Sequence, residues 1–218
     1  MNVHDIITEV QTQLESAYGI KIGESVHDYI IDKKELFELL KDQKLETLPK
    51  ELFLINPNPE NDTLEVALFL DEDLQQNLST HNPLETLSND NITDFCTLIE
   101  GISHFVYYIH KASLKYSVTQ LEMELQAEID KFVLLSLIIR NDSEALENIF
   151  DILFNKYDLH DGLSSDQVTR YHTANELAQK YCYQLFQKIR HLNKNDVIKE
   201  LRRFYPLTQE QKIQNILP

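Results

Sequence analysis

The sequence predicts an α+β protein that is mostly α, with an N-terminal lobe of helix and β-hairpin packed on a C-terminal helical bundle. Three observations support this fold class: apolar residues recur at helical spacing, two β-like runs flank turn formers near residues 51–71, and helix caps recur through the second half. We place the lobe at residues 1–88 and the bundle at residues 89–218, within one compact unit. A chain of 218 residues that is 42% hydrophobic can bury a core without disulfides.

The N-terminal lobe opens with an amphipathic helix over residues 3–18, which Gly19 ends. Asp32 followed by Glu35 matches a capping box, and we expect a short helix after it. Its apolar side chains should point inward; they are Leu36, Phe37, Leu39 and Leu40. The stretch of residues 20–31 is ambiguous between helix and strand.

The hairpin is predicted from two apolar runs, residues 52–55 and 64–70, separated by the turn-forming stretch of residues 56–62. An isolated hairpin is only marginally stable in water, so it must pack on helices or find a third strand. Residues 20–31 are the place where we expect that strand.

The bundle is predicted from caps and spacing after a polar joint at residues 80–91. Its first two helices are joined by only about six residues, so they should pack antiparallel. The first three expected helices run from Asp90 or Asn91 to about 112, from a Thr119/Glu122 capping box to about 139, and from Asp142 or Ser143 to about Tyr157. After a loop through Gly162, a long helix should run from a Ser165 cap to about 191, and two short helices should follow at 196–204 and 208–216.

Charge is divided unevenly along the chain. The net charge is −16, with −20 in residues 1–165 and +4 in residues 166–218. An acidic body repels phosphate backbones, so nucleic acid is disfavoured as its ligand. In the tail, Arg190, Arg202 and Arg203 alternate with aromatic residues, and this mixture also occurs in nucleic-acid binding sites. We expect instead that these cations pair with the acidic body and dock the tail onto it.

Cysteine usage and targeting signals predict a cytoplasmic protein. Cys96 and Cys182 lie in apolar helical patterns without a CxxC partner, which favours free buried thiols in a reducing compartment. The first residues lack a basic region followed by an apolar one, and no apolar run reaches the length of a membrane span. We therefore expect neither secretion nor membrane insertion.

One helix of the bundle has an unusual composition. Between Asp94 and Lys111 its only formal charge is Glu100, so the helix should be mostly buried. His104 lies one turn after Glu100. On the next helix Glu124 and Glu128 form a strip, and antiparallel packing puts His104 level with Glu128. The close approach that Gly101 permits should also serve packing here.

These four residues, Glu100, His104, Glu124 and Glu128, allow two interpretations. Glu and His from facing helices hold divalent metals such as Fe, Mn or Zn in carboxylate-bridged bundles. Those sites use a Glu-x-x-His unit, whereas this chain has Glu-x-x-x-His. In the alternative, which we favour, Glu100 and His104 pair in the core while the second helix carries a solvated charge strip. No cofactor is then expected.

The motifs of common enzymes are missing. With four glycines the chain builds neither a P-loop nor a dinucleotide fingerprint, and it has no nucleophile elbow. We expect a non-catalytic acidic module, of the adaptor, chaperone or inhibitor type, that binds a protein partner, with a homodimer left open. The alternative is a helical metal- or ligand-binding protein, or an enzyme, with Tyr107 and Arg170 as further polar contacts to the Glu/His cluster.

Overall fold

The computed structural model describes residues 2–40, 48–58, 63–139, 142–156, 164–191 and 194–217, with residues 57, 58, 63, 190, 191 and 194 described by their backbone alone. The described chain is mostly helical with a small three-stranded sheet, which confirms the α+β prediction. The predicted tip of the hairpin (59–62), Tyr157 and the loop through Gly162 lie outside the described residues. None of the helices that are described is both long and apolar enough to cross a membrane.

The first helix, α1 (Val3–Tyr18), has the boundaries that its apolar spacing predicts. Asn2 and Asp5 form a reciprocal capping box at its start, which satisfies two backbone N–H groups that would otherwise lack partners. Gly19 ends the helix with φ of +67°, a left-handed conformation that glycine adopts without steric cost. Its buried face belongs to the main hydrophobic core of the protein.

The sheet has the strand order β1-β3-β2. Strands β2 (Glu51–Asn58) and β3 (Thr63–Leu70) form the predicted antiparallel hairpin, in register from Glu51 opposite Leu70 to Asn58 opposite Thr63. The short strand β1 (Ile30–Ile31), which follows a 3₁₀ turn at Val26–Tyr29, pairs parallel to β3. The third strand thus comes from residues 20–31, as expected.

Helix α2 (Lys33–Leu39) begins with the predicted Asp32/Glu35 capping box. Leu36 and Leu40, one turn apart, are buried against Phe69 in a small separate core. Phe37 and Leu39 are instead 53% and 61% exposed, so their inward assignment was wrong. A helix of seven residues touches the sheet along one narrow stripe, and these two side chains lie off it.

A short helix, α3 (Glu72–Thr80), follows β3 and was not predicted. The bundle then consists of α4 (Ile92–Ser113), α5 (Gln120–Ile138), α6 (Ser143–Phe154), α7 (Ser165–His191), α8 (Lys194–Phe204) and α9 (Gln209–Ile216). Thr119 caps α5 through the backbone N–H of Glu122. The Glu122 side chain does not complete the predicted capping box, because it bonds elsewhere in the core.

One hydrophobic core extends from α1 through the sheet and α4 to α9. Helix α5 lies at its centre, packed between α4 and α7. Contacts between α4 and α5 join Tyr107 to Glu122 near the loop and Ser103 to Asp130 farther away, so the two helices run antiparallel. This arrangement brings polar residues of both helices together inside the protein.

Candidate metal centre

The Glu/His cluster lies where α4 and α5 meet the start of β2. Glu100, His104 and Glu124 each offer one ligand atom, and these atoms all lie within 4.8 Å of one another. His104 Nε2 lies 3.3 Å from Glu124 Oε2. For comparison, two ligand atoms bound to the same tetrahedral zinc ion are about 3.4 Å apart, as follows from metal–ligand bonds of about 2.0–2.2 Å. The three residues therefore have nearly the spacing of a metal site.

The first strand of the hairpin adds a fourth residue, Glu51, which the sequence analysis did not identify. Its Oε1 lies 3.8 Å from His104 Nδ1, on the other side of the imidazole ring from Glu124. Gly101 makes room for it, since a Cβ there would lie 2.8 Å from Glu51 Cγ and 2.9 Å from Leu68 Cδ1. A glycine in the middle of a buried helix was the one sequence signal that something approaches this face.

The polar atoms of the cluster are buried but incompletely bonded. His104 is 6% exposed and Glu124 is 7% exposed. His104 Nε2 and Glu51 Oε1 make no hydrogen bond to any described residue, because one contact is poorly aligned and the other is too long. Native proteins pair nearly all such buried groups, so an imidazole nitrogen without a hydrogen bond, close to the ligand atoms of Glu100 and Glu124, suggests that a ligand belongs there.

Burial and neighbouring charge shift the titration of the cluster. Burial lowers the pKa of His104, but Glu124 and Glu51 outweigh it and hold that pKa well above its usual range. Burial raises the pKa of Glu51, which His104 only partly offsets. At neutral pH the metal-free cluster therefore holds a proton on His104 and favours further protonation at Glu51.

Lys131 forms the second half of the cluster. Its ammonium group lies 3.1 Å from Glu100 Oε2 and 2.7 Å from Glu128 Oε1. Burial lowers the pKa of Lys131, but Glu100 and Glu128 reverse the shift and raise it well above the usual value. Lys131 is 8% exposed, so the charge strip expected on a solvated face is instead inside the protein. Glu128 pairs with Lys131 and does not belong to the group of close ligand atoms.

Helix α7 borders the cluster with two of its residues. Arg170 Nε lies 3.6 Å from Glu124 Oε1 and makes no hydrogen bond to the described residues. Tyr171 lies nearby. Burial is the main cause that raises its pKa, and the charges of Glu124, Glu100 and Glu51 raise it further. Arg170 is thus a neighbour of the cluster, as the sequence suggested, whereas Tyr171 was missed.

Tyr107 belongs to a different buried network, formed by α4, α5 and α9. Its hydroxyl donates to Glu122 Oε1 and accepts a hydrogen bond of 2.7 Å from Lys212 Nζ. Lys212 also donates to Gln126, and Lys111 pairs with Glu122. Lys111 further donates to the carbonyl groups that follow α8. Most polar atoms here are satisfied, so this network fixes the C-terminal helices and leaves no ligand position.

The basic tail residues are mostly engaged with the protein itself. Arg202 donates to the carbonyl oxygens of Ser16 and Ala17 at the end of α1, and Arg203 pairs with Glu200 at 2.7 Å. The side chain of Arg190 lies outside the described residues. Arg202 thus docks α8 onto α1 through backbone carbonyls, whereas Arg203 pairs within its own helix and not with the acidic body.

Three clefts of about 610–730 Å³ on the described residues are lined by side chains other than those of the Glu/His cluster. The ligand atoms of Glu100, His104 and Glu124, all within 4.8 Å of one another, have the spacing of an ion site. Comparison with protein families, with characterised proteins and with solved structures finds no significant match to this chain. Its function has to be inferred from the geometry of the residues themselves.

Proposed function

We propose that the protein binds a divalent transition-metal ion through Glu100, His104 and Glu124, while Glu51, beside the other ring nitrogen of His104, orients the imidazole. The observation that carries this proposal is the convergence of three ligand atoms within 4.8 Å around an imidazole nitrogen that is buried and without a hydrogen bond. A carboxylate cluster alone would not suffice. The imidazole selects Zn²⁺, Mn²⁺ or Fe²⁺ over Mg²⁺ and Ca²⁺, which prefer oxygen ligands alone.

The charge balance of the cluster supports a cation. Its carboxylates outnumber its permanent cations, since Lys131 and Arg170 face Glu51, Glu100, Glu124 and Glu128. Uncompensated buried charge is costly, and without a metal the cluster reduces the cost by keeping protons. A divalent ion would neutralise the excess and allow His104 to bind as the neutral imidazole.

Isothermal titration calorimetry with ZnCl₂ or MnCl₂ on chelator-treated protein tests this function. We expect saturable binding of one ion per chain, weakened at least tenfold by His104→Gln because the only nitrogen ligand is lost. The matched control is His110→Gln on the same helix, since His110 contacts Tyr205 outside the cluster. Absence of saturable binding, or equal weakening by both variants, would refute the metal site.

The proton count gives an independent test. Because Glu124 and Glu51 hold the pKa of His104 well above its usual range, His104 is protonated at pH 7 and must release that proton to bind a metal. Titrations in buffers of different ionisation enthalpy should show release of about one proton per ion at pH 7. A binding enthalpy independent of the buffer would mean that His104 is not a ligand.

Lys131 acts as the competing cation in this proposal. It occupies Glu100 and Glu128 at 3.1 and 2.7 Å, so a bound ion must share or displace the contact with Glu100. Lys131→Met should therefore tighten metal binding, because it frees a carboxylate and makes the cluster more negative. The same titration measures it, and weaker binding would show that Lys131 supports the cluster.

We also propose, as a second function, that the protein is an acidic interaction module for a protein partner. The specific observation in its favour is an apolar groove beside α1 with Leu137 exposed in it. A net charge of −20 in residues 1–165 would attract basic partners and speed association. Affinity purification from a lysate should recover a partner that high salt releases, and recovery of none across several conditions would contradict this function.

A further inference from the structure

The surface beside α1 carries a groove that the metal centre does not use. Two adjoining clefts of about 680 and 610 Å³ both contact Gln13 and Leu137, so they form one continuous depression between α1 and α5, which we call the α1–α5 groove. One cleft extends to Leu84 and Glu85, and the other extends to α8. Along α1 the groove runs from Glu9 to Ala17, a length of about 12 Å at 1.5 Å per residue.

Leu137 is the apolar anchor of this groove. It is 36% exposed, whereas its neighbours Val133 and Leu134 on the same helix are 6% and 3% exposed. A single exposed leucine is ordinary on a protein surface. Here the exposed leucine lies between two clefts with apolar floors, which is the arrangement found at the centre of helix-binding grooves.

The two ends of the groove carry opposite charge. Glu9 and Glu85 line one end, and Arg202 lines the other. Arg202 uses Nε and one terminal nitrogen to bind carbonyl groups of α1, which leaves further donors of its guanidinium group. Opposite charges at the two ends complement the dipole of a helix, which is positive at its N-terminus and negative at its C-terminus.

We propose that the α1–α5 groove binds an amphipathic helix of a partner protein. The apolar face of that helix packs on Leu137, its basic N-terminal turn lies beside Glu9 and Glu85, and its acidic C-terminal turn lies beside Arg202. At least two turns are needed to span the groove. This inference rests on the interaction function proposed above and adds the site, the structure and the charge pattern of the partner segment.

Selection from a phage-displayed library of helical 16-residue peptides tests the assignment. Wild-type protein should enrich peptides with an apolar stripe at i, i+3, i+4 and i+7, basic residues in the first turn and acidic residues in the last. An enriched peptide should bind Leu137→Glu at least tenfold more weakly in a fluorescence anisotropy titration. The matched control is Leu114→Glu, since Leu114 is 49% exposed outside the groove, and it should bind like wild type.

Several outcomes would overturn the assignment. One is enrichment of extended or oppositely charged peptides in the selection. Another is equal binding of an enriched peptide by Leu137→Glu and Leu114→Glu. A third is displacement of the peptide by dodecanol, which would indicate a site for small apolar molecules. A dimer that Leu137→Glu dissociates in sedimentation experiments would assign the groove to a second copy of the chain. If a partner recovered from a lysate still binds Leu137→Glu, the interaction function stands and the groove is not its site.

Discussion

Lys212 supports a quantitative prediction of stability against pH. This lysine of α9 is fully buried, and its ammonium group donates to Tyr107 and Gln126, each at 2.7 Å. Burial lowers the pKa of Lys212 from 10.5 to about 7, against the opposing charge of Glu122. The folded protein therefore releases this proton well before the unfolded chain does.

The sign and size follow from proton linkage. Between pH 7 and 10.5 the unfolded chain holds a proton on Lys212 that the folded protein has lost, so stability rises with pH in this window. Below pH 7 both states hold the proton, the cost of burying the charge is fully present, and Lys212 makes no contribution to the pH dependence. From pH 7 to 9 the rise is about 2 kcal/mol, since each proton contributes about 1.4 kcal/mol per pH unit once fully released. Lys212→Met should remove this rise.

Urea unfolding of wild type and Lys212→Met at pH 7, 8 and 9 measures the effect. The difference in free energy of unfolding, wild type minus variant, should increase by about 2 kcal/mol from pH 7 to pH 9. Lys180→Met, on the exposed face of α7, is the matched control, and its values should run parallel to those of wild type. A constant difference between wild type and Lys212→Met would refute the reasoning, because Lys212 would then keep the same protonation in both states.

Three further substitutions test the fold and its link to the metal centre. Gly101→Ala should lower stability by about 1 kcal/mol, because overpacking against Glu51 exceeds the gain in helix propensity, and it should weaken metal binding in the calorimeter. Lys111→Met should cost about 3–5 kcal/mol in urea unfolding, since it removes the cation that pairs with the buried Glu122 carboxylate. A loss below about 1 kcal/mol would mean that the hydrogen bond from Tyr107 is sufficient for Glu122. Asn2→Ala should cost about 1 kcal/mol through loss of the α1 cap, measurable in the same assay, and an unchanged midpoint would show that the cap is dispensable.

Elements fixed by local interactions were predictable from the sequence. The Asp32/Glu35 capping box and the Gly19 stop depend on residues within a few positions of each other, so their signals are visible in a single stretch. The antiparallel pairing of α4 and α5 followed from the short connection between them. The predicted level was one turn off, since His104 was expected beside Glu128 but contacts Glu124, and Glu128 pairs with Lys131.

Features that depend on distant packing were not predictable. Glu51 reaches His104 only because the hairpin packs on α4 at Gly101, and the strand pattern says nothing about that docking. The Glu122 side chain leaves its cap for Tyr107 and Lys111, which lie on another helix. Lys212 belongs to a segment that reads as polar and solvated, yet its ammonium group is inside the core.

The contacts of α9 with α4 and α5 also constrain when the protein can fold during synthesis. Lys212 bonds Tyr107 and Gln126 across 105 and 86 positions of sequence. Until residue 212 has left the ribosome, the nascent chain cannot form these two hydrogen bonds inside the bundle. The polar part of the core between α4 and α5 is therefore completed only after α9 has been synthesised, so this part of the protein should fold later than the locally paired hairpin.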